Sequence, residues 1–110
     1  MGEPYGMHGC FTARPGEAGA LESILLEAAD LLRADPECLL YVVARVPARP
    51  DDLCVTEAWT GLAAHDAALA DVRIRALIDR ARPLLAGAPD ATVLRPVGGK
   101  GLPAAAVPND

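Results

Sequence analysis

The sequence predicts a single α+β domain with the element order β-α-β-β-α-β. Two long stretches repeat their apolar residues at steps of three and four, which is typical of amphipathic helices. Four shorter stretches are β-branched or alternate apolar with polar residues, as half-buried strands do. A length of 110 residues fits one domain with a modest core.

The first half of the chain predicts a strand followed by a helix. The strand is expected over residues 5–13, "YGMHGCFTA", and Pro15 and Gly16 form the turn after it. The helix is expected over 17–34 and stops before Pro36, because the residue preceding a proline is disfavoured in helical geometry. Its apolar stripe comprises Leu21, Ile24, Leu25, Ala28, Leu31 and Leu32.

A hairpin is predicted in the middle of the chain. Residues 39–46, "LLYVVARV", form a short β-branched run, and "PARPDD" separates it from 53–59, "LCVTEAW". Alternation in the second of these strands places Leu53, Val55, Glu57 and Trp59 on one face and Cys54, Thr56 and Ala58 on the other.

The last third predicts two helical pieces and a strand. A short helix is expected over 62–70 and a second amphipathic helix over 72–85, whose last turn Pro83 kinks. The fourth strand is expected over 91–97. The order is that of a ferredoxin-like domain, in which a four-stranded antiparallel sheet carries its helices on one face. Residues 1–102 are predicted to form this domain, and 103–110 are expected to form a flexible tail.

The second strand predicts a homodimer. It is apolar on both faces, since Leu39, Tyr41 and Val43 alternate with Leu40, Val42 and Ala44. The face of the sheet without helices therefore needs a cover, and the simplest one is the same face of a second copy.

Composition excludes several classes of partner. A net charge of −5 and a pI near 4.9 argue against nucleic acid, because affinity for phosphates comes from lysine and arginine. No apolar run approaches the roughly 18 residues that cross a bilayer. Three cysteines without a C-x-x-C pair, and no signal peptide, predict reduced thiols in the cytoplasm.

Five short segments in order resemble one family. They are "ARPG" after the first strand, "ADPECLLYVVARVPARPDDLCVTEAW", "AHDAAL", "RPLLAG" at the end of the second long helix, and "PVGGKGL" after the fourth strand. Together, from Met7 to Leu102, they resemble the antibiotic biosynthesis monooxygenase family, especially its quinol monooxygenase members. The resemblance implies a dimeric α+β barrel with a pocket between sheet and helices in each subunit. It also implies a small aromatic substrate and O₂, with no flavin, haem or metal cofactor.

His65 and Trp59 are the candidate catalytic residues. A histidine titrates near neutral pH and can accept a proton or donate a hydrogen bond to a substrate oxygen. The alternative is a structural histidine at a helix start, bonded to the backbone or to Asp66. Trp59 can stack on an aromatic substrate, or it can simply cover the core at the strand end.

Tyr41, His8, Glu57 and Phe11 are the candidate substrate-binding residues. Tyr41 can offer its hydroxyl to a substrate or satisfy it against the backbone. Glu57 can act as a base if it is buried, whereas an exposed Glu57 is a solvated charge, which is the commoner case for carboxylates. His8 is expected to line the cavity or the dimer seam.

Neither a metal nor haem is expected. His8 and Cys10 share a face of the first strand, but no third ligand lies near them in sequence. Haem-degrading relatives use an asparagine on the first strand, where this chain has Gly9, and its single asparagine is Asn109 in the tail. Ile78 stands where the haem-ligating histidine is expected.

The predicted activity is therefore a cofactor-independent monooxygenation of a phenolic, hydroquinone or anthrone-like substrate. Two alternatives use the same apolar pocket: a non-oxidative cyclase or isomerase of a polyketide-like intermediate, and a non-catalytic small-molecule-binding dimer.

Overall fold

A computed structural model describes residues 3–102 as one four-stranded antiparallel sheet with helices on one face, in the strand order β2-β3-β1-β4. The predicted tail, 103–110, lies outside the described residues. The elements are β1 (Tyr5–Thr12), α1 (Ala18–Leu32), β2 (Cys38–Arg45), β3 (Asp52–Trp59), α2 (Leu62–Ala70), α3 (Val72–Ala81) and β4 (Asp90–Leu94). The predicted ferredoxin-like fold is confirmed.

Two predicted element ends are corrected, both at prolines. The helix expected to reach residue 85 ends as α3 at Ala81 and continues as a single 3₁₀ turn, Arg82–Leu84, because Pro83 has no N–H to continue an α-helical ladder. The last strand ends at Leu94, ahead of Pro96, which cannot donate to a neighbouring strand.

Strand register decides which side chains meet. Met7 of β1 lies opposite Glu57 of β3, and Glu57 also lies opposite Tyr41 of β2. Directly opposed residues project to the same face, so these three side chains all point toward the helices. His8 and Thr56 are opposed in the same way, but they project to the other face.

The core lies between the sheet and the apolar stripe of α1. Leu53 and Val55 of β3 pack with Leu21 and Leu25, while Trp59 packs with the second half of α1 and with α3. Trp59 and Leu53 are among the largest fully buried side chains, with exposed fractions of 2% and 0%. The predicted apolar face of β3 is therefore the core face.

The expectation that all cysteines are reduced is wrong for two of them. Cys10 and Cys54 lie directly opposite each other on β1 and β3, with Cα atoms 4.1 Å apart, and they form a disulfide. Cys38 is the free cysteine. The disulfide follows from the strand register and joins residues 44 positions apart, so no local cysteine motif could have predicted it.

Within residues 3–102, no helix covers the second face of the sheet. Val42 of β2 and Leu94 of β4 project from it with 48% and 43% of their surfaces exposed. His8 is exposed on the same face. Among the described residues, no helix combines the length and the apolar character needed to cross a bilayer.

Candidate active site in a cavity between the sheet and the helices

A cavity of about 420 Å³ lies between the core face of the sheet and the helices. This volume is within the range of small-molecule sites in proteins. Most of its wall is apolar and comes from α1, α3 and the strand residues Met7 and Phe11. The polar side chains in its wall are Tyr41, Glu57, Trp59, His65 and Arg82.

Glu57, Trp59 and His65 form a connected polar cluster in the wall. Trp59 Nε1 donates a hydrogen bond of 2.9 Å to Glu57 Oε1, and His65 Nε2 lies 3.6 Å from the same oxygen. The side chains of Glu57 and His65 are only 14% and 10% exposed. A carboxylate in so sheltered a position interacts more strongly with its neighbours than a surface carboxylate does.

The start of α2 places His65 at the core face of the sheet, in the cavity wall. Gly61 has extended backbone geometry as the N-cap, and its carbonyl accepts the His65 N–H at 3.3 Å in the first turn. The imidazole then lies between two aromatic rings, with its centroid 4.8 Å from that of Tyr5 and 5.7 Å from that of Trp59. The Trp59 contact is edge-to-face, an arrangement that aromatic pairs favour.

The second ring nitrogen of His65 faces outward. His65 Nδ1 lies 3.1 Å from Asp66 Oδ1, and the Asp66 side chain is 62% exposed. His65 therefore contacts a sheltered carboxylate through Nε2 and a solvated carboxylate through Nδ1.

The charge of Glu57 affects the acidity of several neighbours. Burial, followed by the charges of Glu57 and Cys38, raises the pKa of Tyr41 far above its ordinary value of 10.0. Burial and then Glu57 raise the pKa of the Cys38 thiol to about 11. The pKa of Tyr5 is raised by burial, then by Glu57 and Asp66. The two phenols and the thiol therefore remain protonated at neutral pH, so all three keep a proton to donate.

The structure brings five of the six predicted site residues together. His65, Trp59, Tyr41, Glu57 and Phe11 all line the cavity. The commoner alternative for Glu57, a solvated surface charge, is wrong, because the helices cover its face of the sheet. Trp59 is both a buried core residue and part of the cavity wall, and His65 both contacts Asp66 and lines the cavity.

His8 does not join this group. Its Nδ1 lies 2.9 Å from Thr56 Oγ1 on the face of the sheet that carries no helix. Of the two places predicted for His8, the cavity is therefore wrong, and the dimer seam stays a prediction. His8 and Phe11 are three positions apart on one strand, and side chains at odd spacing project to opposite faces.

Sequence reasoning missed Met7, Arg82 and most of the helical wall. Met7 could have been found from the period of two, since it shares a strand face with Phe11. Arg82 lies in the 3₁₀ turn after α3, and its guanidinium donates to Asp79 Oδ1 at 2.8 Å. Its place at the cavity depends on how α3 packs, for which the sequence holds no local signal.

Comparison with known proteins gives a consistent result. The family model for the antibiotic biosynthesis monooxygenases matches residues 4–80, well over half of the chain. The search of curated protein sequences found no match to this chain.

Solved structures match over nearly the whole fold. A member of this group from Chloroflexus aurantiacus has 38% identity and a TM-score of 0.83, covering 91% of this chain and 99% of its own. One from Deinococcus radiodurans has 26% identity and a TM-score of 0.76, covering 86% and 94%. SnoaB, a cofactor-independent oxygenase from Streptomyces nogalater, has 16% identity and a TM-score of 0.76, covering 89% and 97%, and shares the fold.

Proposed function

Because the chain belongs to the antibiotic biosynthesis monooxygenase family, we propose that it is a cofactor-independent monooxygenase of a phenolic, hydroquinone or anthrone-like substrate. Family membership supports a monooxygenase-type function, and the cavity supports the substrate class. The observation that carries the proposal is a sheltered Glu57–His65 pair set in a mostly apolar wall. A flat aromatic substrate with one acidic hydroxyl or CH₂ group matches such a surface.

His65 is the proton acceptor in this proposal. When Nδ1 carries the ring proton and donates a hydrogen bond to Asp66 Oδ1, Nε2 has a free lone pair on the side of the cavity. A substrate hydroxyl beside Nε2 can then transfer its proton to the ring. The imidazolium that results lies between the carboxylates of Asp66 and Glu57, which both stabilise its charge.

Glu57 has a second consequence for the substrate. Its negative charge contributes to keeping Tyr41 and Cys38 protonated, and it opposes a free phenolate in the cavity for the same reason. Deprotonation is therefore favoured only when the proton stays close by, on His65. The substrate anion and the imidazolium form together, so the net charge of the cavity does not change.

The deprotonated substrate supplies the electrons for oxygen. An electron-rich anion can pass one electron to O₂, and the substrate radical and superoxide then combine into a peroxide anion, which takes the proton back from His65. For an anthrone, loss of water from that peroxide converts the CH₂ group to a carbonyl. One atom of O₂ ends in that carbonyl and the other in water, which balances the four-electron oxidation. The protein supplies a dry site, a proton acceptor and hydrogen-bond donors such as Tyr41.

The homodimer is part of the proposal. The face of the sheet without helices carries Val42 and Leu94 with about half of their surfaces exposed. Flat apolar surface of this kind is commonly covered by a second subunit, and a two-fold axis lets the same patch serve both chains. Packing through this face leaves the cavity of each subunit on the opposite side of its sheet.

Labelled oxygen tests the proposed chemistry. The protein is incubated with a panel of anthrones and hydroquinones under ¹⁸O₂, and the products are analysed by mass spectrometry. We expect one labelled oxygen atom in the anthraquinone product and no turnover without O₂. Product formed at an equal rate under argon would favour the cyclase or isomerase. Tight binding without any product would favour the non-catalytic role, and both results would overturn the monooxygenase proposal.

A further inference from the structure

A second cluster of reactive side chains lies on the face of the sheet opposite the cavity. It comprises His8 and Cys10 of β1 and Cys54 of β3. Their potential ligand atoms, one from each residue, all lie within 4.8 Å of one another. The sequence offers no third ligand near His8 and Cys10, and the register of β1 against β3 supplies it from 44 residues away. We propose that, once the Cys10–Cys54 disulfide is reduced, these three residues bind a divalent metal ion that prefers thiolate ligands, such as Zn²⁺.

The spacing of the ligand atoms matches a tetrahedral site. With Zn–S near 2.3 Å and Zn–N near 2.0–2.1 Å, neighbouring ligand atoms are separated by about 3.5–3.8 Å. His8 Nε2 already lies 3.7 Å from Cys10 Sγ. The sulfurs of Cys10 and Cys54 are bonded to each other, so reduction must let them separate before both can bind one ion.

A neighbouring hydroxyl orients the histidine. His8 Nδ1 lies 2.9 Å from Thr56 Oγ1. When Nδ1–H donates to this oxygen, the lone pair on Nε2 is free and faces the sulfurs. Metal-binding histidines commonly have their other nitrogen held in this way, because it fixes both the tautomer and the ring orientation.

The chemistry of the ligand set selects the ion. Two thiolates and an imidazole favour Zn²⁺ and related metals over Mg²⁺ and Ca²⁺, which prefer oxygen ligands. All three ligands come from one chain, so the stoichiometry is one ion per chain, and the cluster lies on the sheet face through which the proposed dimer packs. Three protein ligands leave a fourth position for water or another donor.

Oxidation state controls the site. In the disulfide, neither sulfur is a thiolate, so only His8 remains as a strong ligand. A phosphine reductant breaks the S–S bond by taking up the oxygen of a water molecule, while the two sulfurs take the protons of that water. Metal binding then displaces the thiol protons. The oxidised and reduced forms should therefore differ sharply in metal affinity.

A competition titration tests this site directly. The full chain is reduced with a phosphine, desalted under argon and titrated with Zn²⁺ against a chromophoric chelator, with Co²⁺ absorption as a second readout. We expect one ion per chain, thiolate-to-cobalt charge-transfer absorption, and no comparable binding by the oxidised protein. Cys10→Ser, Cys54→Ser and His8→Ala should each weaken binding by more than about tenfold. Thr56→Val should weaken it by about 10- to 100-fold, the usual effect of losing an outer partner of a ligand.

Cys38→Ser is the matched control, since it removes the third cysteine of the chain, which lies outside the cluster. It should leave the affinity unchanged. Equal Zn²⁺ binding before and after reduction would overturn the proposal. So would affinity that survives loss of Cys10 or Cys54, or that disappears in Cys38→Ser. Circular dichroism of each variant distinguishes loss of a ligand from loss of the fold.

Discussion

Replacing Glu57 with glutamine should make the thiol of Cys38 more reactive. The substitution keeps the size of the side chain and removes its charge. Burial first and the charge of Glu57 second raise the pKa of Cys38 from its ordinary 9.0 to about 11. Removing Glu57 leaves the effect of burial in place. The pKa of the variant should therefore fall below 11 and remain above 9.0.

The rate change follows from two opposing effects. At about pH 8, each unit by which the pKa falls raises the thiolate fraction about tenfold. A less basic thiolate is also a poorer nucleophile, with a Brønsted coefficient of about 0.4–0.5 in thiol–disulfide exchange. The exchange rate therefore rises roughly three- to fourfold for each unit by which the pKa falls. Because the pKa cannot fall below its ordinary 9.0, the rate rises by roughly tenfold at most.

A neutral dipyridyl disulfide measures this rate. Cys38 is the free thiol when Cys10 and Cys54 are joined, so the release of thiopyridone reports on Cys38 alone. Glu57→Asp retains the charge and Glu27→Gln removes an exposed one, and both should react at nearly the wild-type rate. If Glu57→Gln also exchanges at the wild-type rate, then Glu57 contributes nothing to the raised pKa of Cys38, which contradicts the reasoning.

Three further outcomes follow from the same structure. The free energy of unfolding should fall as the pH rises above about 9, because Cys38 and Tyr41 titrate at higher pH when folded than when unfolded. In denaturant titrations, Tyr41→Phe should make this fall with pH less steep. An unchanged slope would contradict the raised pKa of Tyr41. Leu53→Ala should cost about 2–5 kcal/mol because the side chain is fully buried, whereas Leu26→Ala, at a position 48% exposed, should cost less than about 0.5 kcal/mol. Val42→Lys should convert the proposed dimer to a monomer in sedimentation, and Val72→Lys, on α3 and 78% exposed, should not; a wild-type monomer at micromolar concentration would rule out the packing.

Periodicity was sufficient for most of the fold. The steps of three and four in α1 identified the buried stripe, and alternation in β3 put Glu57 on the same face as Leu53 and Trp59. The sequence could not show whether the Glu57 side chain is shielded from solvent, because this shielding depends on how α2 and α3 pack against the sheet. Surface carboxylates are common, so the general expectation favoured a solvated Glu57.

The cluster of His8, Cys10 and Cys54 depends on the pairing of two strands that are far apart in sequence. Cys10 and Cys54 are opposed only because β1 lies between β3 and β4 in one particular register. A slip of β1 by one residue would move Cys10 to the other face of the sheet, away from Cys54. His8, by contrast, could have been assigned correctly, since its odd spacing from Phe11 already excluded a shared face.

Oxygen uptake by site variants tests the proposed role of the Glu57–His65 pair most directly. With an anthrone or hydroquinone that the wild-type protein oxidises, His65→Gln should lower kcat/KM by about 10²- to 10⁴-fold, the usual effect of losing a general base. Glu57→Gln should also lower it, while Glu27→Gln should not. Wild-type oxygen uptake by His65→Gln would contradict the proposal that this histidine takes the proton of the substrate.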